Sequence, residues 1–220
     1  MTDESARDEI MTATYEALCK HGYTELTTQA IADQTDKSKS LLFYHYDSKD
    51  DIVSAFFDFL LEHFDERLAA SQEVSPVDRL AALVDWFLYD PDDDERASFH
   101  TAMLELRAQA PYNERFQAHL RRSDDALRAA FEGILQDGLE AGVFRDHDPA
   151  ETATVLIAAL DGARIRQLTM DRDAYLEEVR SGVANVVVAD LLVEGESFPE
   201  RGAVSLEAAD ADTAAGDDPE

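Results

Sequence analysis

Six histidines, one cysteine and a large surplus of carboxylates are the side chains here with chemistry to offer, and their spacing argues against catalysis. His21, His45, His63, His100, His119 and His147 include no pair four residues apart with a third ligand to follow, which is what a helical metal site needs. No glycine-rich phosphate loop or nucleophile–base arrangement is visible. Carboxylates are so dense, 48 Asp and Glu in 220 residues, that pairs of them carry no signal for acid–base work. The acidic run Asp90–Glu95 lacks the Gly and closing Glu of a calcium loop and reads as a solvated loop. The sequence thus predicts no catalytic residue, no metal and no cofactor.

The cations tell more. Of the four lysines, Lys37, Lys39 and Lys49 lie in or beside one stretch, Leu26–Asp51, and only Lys20 lies outside it. Positive side chains gathered on a short segment suit phosphate and base edges. That segment must be positioned by helices. Thr27 is a plausible N-cap, and Leu26 and Ile31 are spaced as a hydrophobic staple. The helix breaks at Thr35-Asp36, and a second short helix runs from Ser38 to about His45. Ser48 caps a third, with Asp51 completing a Ser-x-x-Asp box. Two short helices joined by a tight turn make a helix-turn-helix, whose second helix can enter the major groove.

This stretch resembles the DNA-binding segment of the TetR/AcrR family of transcriptional regulators. The resemblance rests on Thr27, Thr28, Ile31, Ala32, Ser38, Lys39, Leu42, Phe43, Tyr44, His45, Tyr46, Ser48, Lys49 and Asp50, and covers about the first fifty residues. Three positions depart from the pattern. Asp36 stands where Gly is usual, Lys37 where an apolar residue is usual, and Phe43 where Tyr is usual. The resemblance implies that Lys39, Ser40 and Leu41 face bases and that Gln29 reaches an adjacent base. Thr27, Thr28, Tyr44, His45 and Lys49 would hold the phosphate backbone.

Helical periodicity continues to the end of the folded chain. Residues 5–21 carry Ile10, Ala13, Ala17 and Leu18 at helical spacing, and Gly22 supplies the stop. Residues 48–70 are apolar on more than one face, as expected of a connector packed on two sides. Ser75-Pro76 opens another helix, and further helices are expected over 97–110, 113–141, from 148 onward, and over 174–193. No strand signal competes. The expected fold is all-α: a three-helix head with the helix-turn-helix over 1–47, a helical ligand-binding and dimerisation domain over 48–194, and a disordered acidic tail over 195–220. Phe57, Phe64, Trp86, Phe87, Phe99, His100, Met103, Arg107 and Phe116 lie on the helices that form the ligand cavity in the resembled family. They would suit a small apolar or aromatic effector, with His100 or Arg107 orienting it. The last two helices are expected to pair with those of a second copy.

Net charge is −29 and the pI about 4.3, unusual for a DNA binder. From Thr27 to Lys49, three lysines balance Asp33, Asp36 and Asp47, so the recognition segment is neutral inside an anionic chain. Acid spread along the whole length fits a halophilic protein in a salt-rich cytoplasm. Cys19 has no internal partner, the N-terminus is acidic rather than a signal peptide, and no apolar run approaches a membrane span. The expected partners are a palindromic double-stranded DNA operator, the effector and a second copy, with no membrane. The expected function is a ligand-responsive, cytoplasmic transcriptional regulator, a repressor acting as a homodimer. The alternative is a helical protein-interaction module that kept the head and lost specific DNA binding.

Overall fold

A computed structural model describes residues 3–35, 42, 44–90, 92–170, 172 and 174–204, the side chains of residues 3–5 aside. The described residues are helical throughout, with one isolated antiparallel bridge, Phe144 to Leu192, and no strand. Helix α1 spans Asp3–His21 and α2 spans Thr28–Ala32. Leu42, Tyr44 and His45 are also helical. Then come α3 (Lys49–Ala70), α4 (Pro76–Phe87), α5 (Asp94–Gln109), a 3₁₀ turn (Ala110–Tyr112), α6 (Glu114–Glu140) and α7 (Pro149–Met170). Helix α8 (Tyr175–Gly182) continues as a π-helical stretch (Val183–Val188) and a last turn (Ala189–Leu191).

The ends of these helices follow from their caps. The hydroxyls of Thr27, Ser48 and Ser75 accept from the amides of Ala30, Asp51 and Asp78 at 3.0, 3.2 and 3.2 Å. Each such cap contributes about 1 kcal/mol. Gly22 ends α1 at φ +67°, where its amide still reaches the Leu18 carbonyl at 2.8 Å. Helix α5 begins earlier than residue 97. The Asp93 carboxylate accepts from the Arg96 amide, and Asp94 and Glu95 enter the first turn, where negative charge suits the helix dipole.

Two apolar cores share the molecule. One joins α1 and α2 to the first half of α3, and includes Ala102 and Leu106 of α5 and Phe116 of α6. The other joins α4, α6, α7 and α8. The head core therefore does not stop at residue 47: helices assigned to the second domain fill it. The expectation of a disordered tail from 195 is corrected for residues 195–204. Phe198 and Val204 pack on the second core, Arg180 bonds the Pro199 carbonyl at 2.9 Å, and the Gly202 amide donates to Asp85 at 3.0 Å. Charged residues made this strap look solvated, but its Arg201 pairs with Glu177 of α8 and bonds the Leu88 carbonyl at the end of α4. Residues 205–220 of the expected tail lie outside the described residues.

Candidate DNA-reading head and internal cavity

The head is organised by α1 and α2. Leu26 and Ile31, the staple pair, are fully buried, as is Leu42. Thr27 and Gln29 are exposed at the start of α2 and Thr28 is half-buried there. The Thr27 oxygen serves as the cap, and the Gln29 amide donates to Asp33 at 2.6 Å. Tyr44 is 82% exposed and packs edge-on against the exposed His45 ring, centroids 5.1 Å apart. Lys49 is engaged within the head: its ammonium donates to the Tyr23 carbonyl at 3.2 Å and lies 4.3 Å from the centre of the Tyr23 ring. Lys39, Ser40 and Leu41, the expected base contacts, lie outside the described residues, as do Asp36, Lys37, Ser38 and Phe43.

Polar latches tie the head to the second core. The Glu105 carboxylate of α5 accepts from the Thr24 amide at 2.8 Å and its hydroxyl at 3.1 Å, just beyond Gly22. The Tyr23 hydroxyl donates to Asp50 at 3.0 Å, and Arg115 of α6 pairs with Asp51. Arg7 meets Glu62 at 2.8 Å. The sequence carried no sign of these pairings, because Glu105 and Arg115 are two of many charges on amphipathic helices.

A cavity of about 700 Å³ lies beside α5, walled by α1, α3, α4, α6 and α7. Eight of the nine expected pocket residues line it: Phe57, Phe64, Trp86, Phe87, Phe99, His100, Met103 and Arg107. Phe116 does not line it. It is fully buried in the head core, 5.6 Å from the Tyr23 ring and 6.2 Å from Phe57, because α6 turns that face toward the head. The sequence reading missed Tyr15, Phe56, Phe59, Leu60, His63, Arg96 and Arg164, which also line the space. Arg96 was legible: Arg96, His100, Met103 and Arg107 recur at i, i+4, i+7 and i+11, one face of α5. Arg164 was not, since only the packing of α7 against α5 brings it there.

One end of the cavity is polar. Asp161 on α7 sits between two guanidiniums, Arg164 at 2.6 Å and Arg107 at 3.1 Å. Burial pushes its carboxyl up, yet the two arginines together hold it below the usual range. Arg164 also lies 4.2 Å from the centre of the Phe87 ring. His100 stacks on Tyr89 at 5.0 Å, and burial, helped by Arg164, Arg96 and Arg107, lowers its pKa to about 3. It is a neutral imidazole at pH 7. Among the described residues no group of His, Cys, Asp and Glu could hold a metal ion.

The chain that carries these features matches known proteins in sequence and in fold. Residues 10–56 match the family model for bacterial regulatory proteins of the tetR family. Residues 76–192, more than half of the chain, match the C-terminal domain of the BetI-type transcriptional repressor. The chain belongs to the TetR family. It is 38% identical to a TetR transcription regulator from Haloarcula marismortui, with a TM-score of 0.75 and coverage of 86% of this chain and 99% of that one. The repressor AcnR of Corynebacterium glutamicum is 26% identical over 83% of this chain and 93% of its own length. A transcriptional regulator from Saccharomonospora viridis, solved in complex with choline, shares the fold at 23% identity and TM-score 0.73, over 87% of this chain and all of that one. This TetR-family chain is thus a DNA-binding transcriptional regulator, and no helix among its described residues is long and apolar enough to cross a membrane.

Proposed function

We propose that this regulator is a cytoplasmic repressor that binds a palindromic operator as a homodimer and releases it when a small apolar or aromatic effector enters the cavity. The observation that carries this reading is the double duty of α5. Phe99, His100, Met103 and Arg107 face the cavity, while Ala102, Glu105 and Leu106 of the same helix hold the head. A ligand that displaces α5 therefore moves the Thr24 attachment. It couples the two sites to the extent that it binds the two positions of α5 with different affinity. Lys39, Ser40 and Leu41 read bases from the second helix of the motif. Thr27, Thr28, Gln29, Tyr44 and His45 flank them, and Lys49 supports the backbone grip from its seat on Tyr23.

The dimer is supported by what α7 and the last helix leave uncovered. Val155, Ala158, Gly162, Ile165 and Thr169 recur every three or four residues along the open side of α7, and Val186 of the π-helical stretch is 70% exposed. Small and apolar residues in such a stripe let a second helix approach closely, and a closed two-fold pair is the usual outcome. Val183 is buried in the core, so the diagnostic substitutions are Ile165→Glu with Val186→Glu. Light scattering should report monomers with helicity intact. A persistent dimer would place the interface elsewhere.

The function itself is tested on a mapped operator. Wild type should bind it and be released by effector. Glu105→Gln, which weakens the α5–head latch, should bind effector normally and be released at least tenfold less effectively. If full-length protein retains no DNA at the salt of its own cytoplasm, the protein-interaction reading replaces this one.

A further inference from the structure

We infer that the effector is an uncharged aromatic molecule carrying a hydroxyl or a carbonyl, held at the His100 ring by a hydrogen bond. The inference rests on the effector reading above and narrows it to a ligand class. What selects the class is which polar groups of the lining are already engaged. The Thr12 and Ser123 hydroxyls donate to the Asp8 and His119 carbonyls at 3.0 and 3.2 Å. Tyr15 is engaged with Cys19 and Glu95. Arg107 and Arg164 share Asp161, and Arg164 also lies on the Phe87 ring. Arg96 reaches Asp93 at 3.7 Å and the Trp86 carbonyl at 3.5 Å. Of the other charged groups on the lining, Arg67 and Asp124 are opposite in sign, and Asp124 is exposed. A charged headgroup at the polar end would have to compete with ion pairs that already exist.

The His100 ring is different. It lines the cavity, and among the described residues neither of its nitrogens has a hydrogen-bond partner; its contacts are with rings, Tyr89 at 5.0 Å and Phe99 at 5.5 Å. The buried Tyr89 hydroxyl has no partner among the described residues either, so Tyr89 holds the His100 ring by stacking rather than by a hydrogen bond. Burial and the nearby arginines keep the imidazole neutral at pH 7. It therefore offers one N–H to donate and one bare nitrogen to accept. A hydroxyl can answer either and a carbonyl the first. A carboxylate can use only the first and an ammonium only the second, and each carries a desolvation cost that an uncharged group does not. The rest of the wall is rings. Phe56 meets Phe99 edge-on at 6.2 Å, Phe64 and Trp86 lie 5.6 Å apart, and Phe59 lines the same space. An aromatic guest gains edge-to-face and offset contacts on such a wall beyond the area it buries.

Calorimetric titration of the full-length protein near neutral pH, where a phenol is uncharged, would compare 4-propylphenol with propylbenzene, 4-propylcyclohexanol, 4-propylbenzoate and choline. The phenol should bind about tenfold tighter than propylbenzene, which lacks the hydroxyl, and tighter than 4-propylcyclohexanol, which lacks the aromatic ring. His100→Phe keeps a flat ring against Tyr89 and removes both nitrogens. It should erase the preference for the phenol while propylbenzene binds as before, and His100→Gln, whose amide also donates and accepts, should restore part of it. Should His100→Phe lose helicity, His100→Leu takes its place. Equal binding of 4-propylphenol and propylbenzene by wild type, or a preference that survives in the helical variant, would overturn the hydrogen-bond site; release of operator by both probes would leave the effector reading standing. Tighter binding of 4-propylbenzoate or choline than of 4-propylphenol would overturn the uncharged class, and tighter binding of 4-propylcyclohexanol the aromatic one. No heat and no shift in melting temperature with any probe, from protein that still binds operator, would overturn both readings.

Discussion

Two glycines of α6, five residues apart, show how much a single Cβ depends on its surroundings. A Cβ on Gly138 would meet the Phe144 ring at 2.0 Å, whereas one on Gly133 would have nothing within 4 Å. Phe144 is buried and bridges to Leu192, so it has little room to yield. Gly138→Ala should therefore destabilise by about 1–3 kcal/mol through overpacking. Gly133→Ala should stabilise by about 0.5–1 kcal/mol, because glycine is a poor helix former. Urea midpoints of the two variants should move in opposite directions. His100 sets a pH dependence at the same scale. Its folded pKa is depressed from 6.5 to about 3, chiefly by burial and then by the arginines around it. A histidine kept neutral by folding contributes stability that is complete above pH 6.5 and is lost as pH falls toward 3. His100→Gln should flatten the loss of stability between pH 6.5 and about 5, before most carboxylates titrate. An unchanged slope in denaturation series at those pH values would mean that His100 is charged in the folded protein.

At the scale of elements, charge pairs decide how the C-terminal strap and α8 dock. Arg180 of α8 and Asp85 of α4 are both nearly buried and pair at 2.6 Å. Asp85 also accepts from the Gly202 amide, and Arg201 bonds Glu177 at 2.6 Å and the Leu88 carbonyl. Removing one partner of a buried pair strands the other. Asp85→Ala should thus cost about 3–5 kcal/mol, by leaving the Arg180 guanidinium buried and unpaired. Arg201→Ala, at a more exposed group, should cost about 1–2 kcal/mol. Thermal unfolding should rank them in that order, and the reverse would show that the strap, not the α4–α8 pair, holds this corner. The same scale explains what was legible in the chain. Capping residues and 3.6-residue periodicity marked nearly every helix, because both signals are local. The strap carried neither: its Phe198 and Arg201 take their meaning from partners about a hundred residues away or on another helix.

For the whole molecule the governing number is the net charge of −29. Lysine–phosphate pairing releases counterions, so repressor affinity ordinarily falls steeply with salt. In this chain the recognition segment is neutral, and Lys49 already serves the Tyr23 carbonyl and ring. Few phosphate contacts then oppose strong repulsion between DNA and an anionic body, and salt screens that repulsion. Operator affinity should change little, or rise, from low to molar KCl. Titrations on one operator across that range would show a steep loss if local lysine contacts dominate instead.

The sequence by itself determined the class of fold and the helix-turn-helix and placed His100, Met103 and Arg107 on one helix, because each is written in spacings of three, four or seven residues. Tertiary structure alone decided which wall of the cavity each side chain reaches. It sent Phe116 to the head core, brought Arg164 and Asp161 across from α7, and gave Glu105 to the head. The physical reason is one of range. Propensity, capping and amphipathicity act within a turn or two of helix. The balance of charge at His100 is a sum over α5 and α7, more than fifty residues apart, and exists only once they pack.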